Sequence, residues 1–206
     1  MAVLASDSEG NRLLAAGMPA EALKSFQAAL ATAPQDPRCL LGLAKAHMAL
    51  EGREPALAAL EALLKLKPDH LEARSHRALI RLAAGDKAAA AELEAVARDR
   101  HSGFAEHFNY GQYLISAGKH AEAGKELMVA QRIEPRDPRP HLLMAALAQN
   151  RGDVAGAISA LQAATQLVGP QISAPWAALG HIYRAAGRGR ESAQAFLEAL
   201  QRRPDD

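Results

Sequence analysis

Aromatic residues make up only 4% of this 206-residue chain, and there is a single cysteine, Cys39. So few rings and so few Val or Ile runs argue against a β-sandwich or barrel, whose pleated surfaces favour those residues. One cysteine excludes an internal disulfide and fits a reducing compartment, so cytoplasm is the expected location. Neither charge sign dominates. With 24 basic against 23 acidic side chains the formal net charge is +1, too little to concentrate the chain on nucleic acid or an anionic bilayer. No uncharged window reaches the roughly 18 residues of a membrane span, and the first residues lack a basic leader, so no membrane insertion and no cleaved signal are expected.

What is abundant is Ala and Leu, within a hydrophobic share of 49%. That is enough for a sizeable core, in the vocabulary of close-packed helices. The expectation is an all-α protein.

A repeat runs along the chain. Gly17, Gly52, Gly85, Gly118, Gly152 and Gly187 are separated by 35, 33, 33, 34 and 35 residues. Small residues keep the same phase at Ala22, Ala56, Ala90, Ala123, Ala157 and Ser192, and prolines recur at Pro34, Pro68, Pro135, Pro170 and Pro204, with Ser102 standing in the missing place. Each period predicts a helix, a tight turn at the glycine, a second helix and a proline-marked exit. Pro19 and Pro55 fall in the first turn of a helix, where a missing N–H costs nothing. The small residue lets two antiparallel helices approach closely. Neither helix of such a unit can bury its apolar stripe alone, so stability must come from stacking units.

These markers resemble the tetratricopeptide repeat, whose pattern of about 34 residues runs W-x2-L-G-x2-Y, then A-x3-F, then P. Trp176, Leu179, Gly180, Tyr183, Ser192, Phe196 and Pro204 follow it in the last unit. Gly10, Gly17, Ala22, Phe26, Ala29 and Pro34 carry it in the first, and Tyr110, Gly111, Gly118, Ala123, Ala130 and Pro135 in the fourth. The resemblance implies a right-handed α-solenoid, a superhelix of six helix-turn-helix repeats at about 3–36, 37–70, 71–103, 104–137, 138–172 and 173–206, forming a single domain over 1–206. The third unit departs most, with Arg77 and Arg81 where the family usually carries Leu and Tyr, so its first helix is expected to be rotated or partly exposed.

Chemistry is sparse. The eight histidines include no i, i+4 pair for a metal. His70 with His76, and His101 with His107, are six apart across unit boundaries and are better read as surface or groove residues. Cys39 sits beside Leu40 and Leu41 as a buried side chain rather than a nucleophile. Gly187-Arg188-Gly189-Arg190-Glu191 and Gly118-Lys119-His120 lack the Lys-Ser/Thr ending and preceding strand of a phosphate cradle. Glu21, Glu122 and Glu191 fall at helix N-termini, where carboxylates belong for electrostatic reasons. The chain is expected to be no enzyme, with no catalytic, cofactor or metal site.

The resemblance further implies that first helices line a concave groove that binds a peptide or partner segment, making the chain a protein-protein interaction scaffold or adaptor. In the family register the groove side chains include Asp7, Asn11, Arg38, Lys45, Phe108, Gln112, Arg139, Gln149, Asn150, His181 and Arg184. Phe108 is expected as an exposed aromatic anchor. The Lys and Asn clamp with which some members hold a C-terminal carboxylate is not reproduced: Lys45 and Asn109 stand apart, and the sixth places elsewhere are Ser8, Gly42, His76, Leu143 and Ala178. Two other readings remain open. Leu197 and Leu200 on the last helix would lack the polar cap that usually closes a solenoid, favouring a homo-oligomer through terminal repeats. Alternatively the chain is the recruiting region of a larger enzyme.

Overall fold

The computed structural model describes residues 2–169 and 172–202, with side chains from residue 8 onward. Among the described residues there are twelve α-helices and no strand. The chain divides into two compact units, 1–102 and 103–206.

In the first unit, α1 (Ala2–Ala15) pairs with α2 (Pro19–Thr32), α3 (Pro37–Ala49) with α4 (Arg53–Leu66), and α5 (Leu71–Ala83) with α6 (Ala89–Ala97). The second unit repeats the plan: α7 (Phe104–Ser116) with α8 (His120–Ile133), α9 (Arg139–Asn150) with α10 (Val154–Leu167), and α11 (Ala174–Ala185) with α12 (Gly189–Arg202). Each hairpin also packs on the next within its unit, α2 on α3, α4 on α5, α8 on α9 and α10 on α11. Each unit is thus an all-α solenoid of three helical hairpins.

The turns obey the expected glycine chemistry with one exception. Gly17, Gly85, Gly118, Gly152 and Gly187 have φ between +71° and +94°, the left-handed conformation that closes a helix without a Cβ clash. In the second hairpin that conformation falls on Glu51, at φ +59°, while Gly52 has an ordinary φ of −78°. The turn is therefore one residue earlier than the glycine spacing implies. Counted from the left-handed residue, the buried small residue follows five places later at Ala22, Ala56, Ala123, Ala157 and Ser192.

The third hairpin breaks this phase. Its buried residue is Ala89, four places after Gly85, and Ala90 is only half-buried. The buried series Ala89, Leu93, Val96 and Ala97 is displaced one residue along α6, which spans only nine residues. The first helix of this hairpin nevertheless buries Ala73, Ser75, Ala78 and Ile80. Arg77 and Arg81 are accommodated because they turn, with Arg74, onto one carboxylate, Glu92 of α6. Arg81 also pairs with Asp86 at 2.6 Å.

The core is built from interlocking rings and small residues. The fully buried Phe26 ring of α2 lies against Gly10 of α1 and Gly42 of α3, where any Cβ would collide with it. Phe196 of α12 packs against Gly180 of α11 in the same way, and Leu127 of α8 lies closely against Gly111 of α7. Cys39 is buried beside Phe26, Ala29 and Ala46, as expected of a small apolar side chain.

Candidate functional site

The predicted groove residues lie on first helices, and the structure sorts them into those already engaged and those left open. In the first unit Asn11 is exposed on α1, whereas the Asp7 side chain is outside the described residues. Arg38 stands at the start of α3, and Asp36 holds its guanidinium at 3.0 Å while capping the helix through the Arg38 N–H at 2.9 Å. Lys45 of α3 reaches Glu72 of α5 at 2.5 Å, with His76 3.7 Å from the same carboxylate. Burial alone would push the Glu72 carboxyl up, but hydrogen bonding to His76 and the charge and hydrogen bond of Lys45 outweigh it and lower the pKa to about 2. Both charges are therefore already paired, Arg38 with the carboxylate that caps α3 and Lys45 with a carboxylate of α5.

In the second unit Phe108 is buried, which corrects the expectation of an exposed anchor. Its ring stacks on Phe104, one helical turn away, with centroids 5.4 Å apart. The Arg139 guanidinium covers both, 4.7 Å from the Phe104 centroid and 5.1 Å from that of Phe108. Asp137 holds Arg139 at 2.6 Å. The i, i+4 stack and the cation arriving from α9 close over the ring that family register alone would leave open.

Four of the remaining residues are exposed. Gln149 and Asn150 end α9, His181 and Arg184 lie one turn apart on α11, and Gln112 of α7 is half-buried. Arg184 donates to His181 Nδ1 at 3.2 Å, and the His181 ring meets Phe196 edge-on at 5.0 Å. No carboxylate among the described residues pairs with Arg184. Leu197 and Leu200 on α12 are 53% and 47% exposed.

The histidines suspected of proximity do other work. His70 caps α5 by accepting from the Ala73 N–H, and His107 meets Glu126 at 2.7 Å. His141 lies 3.2 Å from the Gln131 amide nitrogen, and burial lowers its pKa. No group of three His, Cys, Asp or Glu side chains among the described residues could hold a metal ion. No described helix is long and apolar enough to cross a membrane.

One feature of this unit escaped sequence reading. A cavity of about 510 Å³ opens between α10 and α12 over α11, walled by Trp176, Leu179 and Tyr183. These are the pattern residues of the last repeat. The signal was present in their identity, but the empty space depends on the small residues opposite.

Models of the tetratricopeptide repeat match residues 13–80 and 142–206. The chain belongs to the tetratricopeptide repeat family. Among solved structures it is similar to human IFIT1, seen as a dimer with m7Gppp-AAAA, at TM-score 0.80 and 19% identity over 95% of this chain and 48% of that one. A chain of the APC/C hetero-tetramer Cut9-Hcn1 gives TM-score 0.72 and 18% identity, covering 96% of this chain and 39% of that one. A tetratricopeptide repeat protein from Parabacteroides merdae gives 0.68 and 20%, covering 99% and 80%. The chain thus spans about half the length of IFIT1, and at these identities the likeness is one of fold. No curated protein matches its sequence. The tetratricopeptide fold is in general a scaffold for protein interaction, and membership of the family supports that coarse class of function for this chain.

Proposed function

We propose that this tetratricopeptide protein is an adaptor that binds an extended segment of a partner protein along the first helices of its second unit. The observation that supports this reading is the division between engaged and open side chains. Arg38, Lys45 and Arg139 are held by Asp36, Glu72 and Asp137, whereas Gln149, Asn150, His181 and Arg184 are exposed on α9 and α11. Amides at the end of α9 both donate and accept, as a peptide backbone requires, and the Arg184 guanidinium suits an acidic side chain.

Display selection of peptides against the protein, followed by amide chemical-shift mapping, tests this. Selected peptides are expected to shift the resonances of α9 and α11, and Gln149→Ala/Asn150→Ala/Arg184→Ala to weaken them about tenfold or more with helicity unchanged. Unchanged affinity in that variant refutes the site.

The exposure of Leu197 and Leu200 favours a second reading, a homo-oligomer assembled through α12. Sedimentation equilibrium decides it. An oligomer that becomes monomeric in Leu197→Asp/Leu200→Asp sustains it, and a monomeric wild type at about 100 μM removes it.

A further inference from the structure

We infer that the cavity between α10 and α12 is a second, separate recognition site, one that takes a neutral apolar side chain presented by a partner peptide. Its volume of about 510 Å³ lies within the range of roughly 300–1,000 Å³ typical of ligand pockets. The floor is α11, through Trp176, Leu179 and Tyr183, and the space is left by Ala163 of α10 and Ala195 of α12.

The walls are held in place before any ligand arrives. Gln162 donates to the Tyr183 hydroxyl at 3.0 Å, the Arg188 guanidinium lies 4.6 Å from the Tyr183 ring centroid, and that of Arg202 lies 4.5 Å from the Trp176 ring. Such preorganisation lowers the ordering cost of binding.

Charge selects the occupant. The carboxylate on the rim, Glu191, is neutralised by Arg188 at 2.8 Å, so neither a cation nor an anion finds an unmatched partner there. The other polar rim groups include Gln162, Gln166 and Gln194, amides whose donors and acceptors match the main chain on either side of an inserted side chain. An aromatic wall with an amide rim thus fits a neutral peptide bearing Phe or Leu.

This site does not depend on the proposed α9–α11 surface. On α11, the residues Trp176, Leu179 and Tyr183 follow i, i+3, i+7 spacing along one stripe, whereas His181 and Arg184 lie on another.

Trp176 is the single tryptophan of the chain, so its emission reports on the cavity directly. Capped tripeptides Ala-X-Ala with X as Phe, Leu, Ala, Lys or Glu are titrated to millimolar concentration while Trp176 emission and amide shifts are followed. The Phe and Leu peptides are expected to saturate both signals, at least about fivefold tighter than the other three. Ala163→Phe fills the cavity and Gln194→Phe covers it from an exposed position that folding does not depend on, so both are expected to reduce binding about tenfold. Gln149→Ala/Asn150→Ala/Arg184→Ala leaves it unchanged. Absence of saturation with the Phe peptide, equal binding of the Lys or Glu peptide, or full binding in Gln194→Phe overturns the inference.

Discussion

Alanine in place of Gly42 and alanine in place of Gly124 add the same methyl group to the interior of two helices, α3 and α8, and the packing around each predicts opposite signs. A helix-interior glycine replaced by alanine gains about 1 kcal/mol from reduced backbone entropy in the unfolded chain and better helix propensity. Around Gly124 an added Cβ meets nothing within 4 Å, so the full gain of about 1 kcal/mol should appear. Around Gly42 the Cβ falls within the Phe26 ring. That ring cannot retreat, because Gly10 of α1 lines its other contact, where a Cβ would sit only 2.5 Å from the ring. Overpacking of this kind costs about 1–3 kcal/mol, which exceeds or cancels the propensity gain and leaves a net loss of up to about 2 kcal/mol. Urea unfolding followed by circular dichroism at 222 nm measures both variants against the wild type. Phe26→Leu should release the clash, so that Gly42→Ala in that background becomes neutral or stabilising, a coupling read from the double-mutant cycle. If Gly42→Ala stabilises as much as Gly124→Ala, the Phe26 wedge between α1 and α3 is not the constraint described.

The left-handed turn residue Glu51 carries a Cβ penalty that its five glycine counterparts avoid, so Glu51→Gly should stabilise by about 0.5–1 kcal/mol in the same assay, and a loss would mean the side chain contributes more than the strain removes. Glu72 has a folded pKa of about 2 against an ordinary 4.5, so its ionised form is favoured by folding. That stability is fully present above about pH 4.5 and is lost as pH falls from there through about 2. Urea midpoints across this window should fall more steeply in the wild type than in Glu72→Gln, and parallel profiles would count against the Lys45–Glu72–His76 cluster.

The repeat plan was legible because its signals are local. A glycine that must adopt positive φ, a proline that cannot continue a helix and a small residue at a close crossing each act through their immediate backbone, and their phase marks every hairpin. Even so, Gly52 misled by one residue. Glycine permits the left-handed conformation without requiring it, and the hydrogen bonds closing this turn, from the Glu51 N–H to the Met48 carbonyl and from the Gly52 N–H to the His47 carbonyl, place it on Glu51. In the third hairpin the glycine phase held and the helix did not, since α6 buries Ala89 rather than Ala90.

The candidate site was less legible, for a physical reason. Which side chains stand on the first helices follows from the repeat period, but whether each is available depends on neighbours brought from other turns and other helices. Phe108 is covered by Phe104 and by Arg139 of the next hairpin, and Arg77 finds Glu92 fifteen residues away. The cavity above Trp176 is a void, set by what three helices fail to fill together. The sequence by itself determined the family, the hairpin count and, outside α6, the stripe on which the small buried residues lie, because those follow from backbone conformation and helical periodicity. Only tertiary packing decided which charges are neutralised, which rings are buried and where space remains, because those are properties of side chains from separate helices meeting one another.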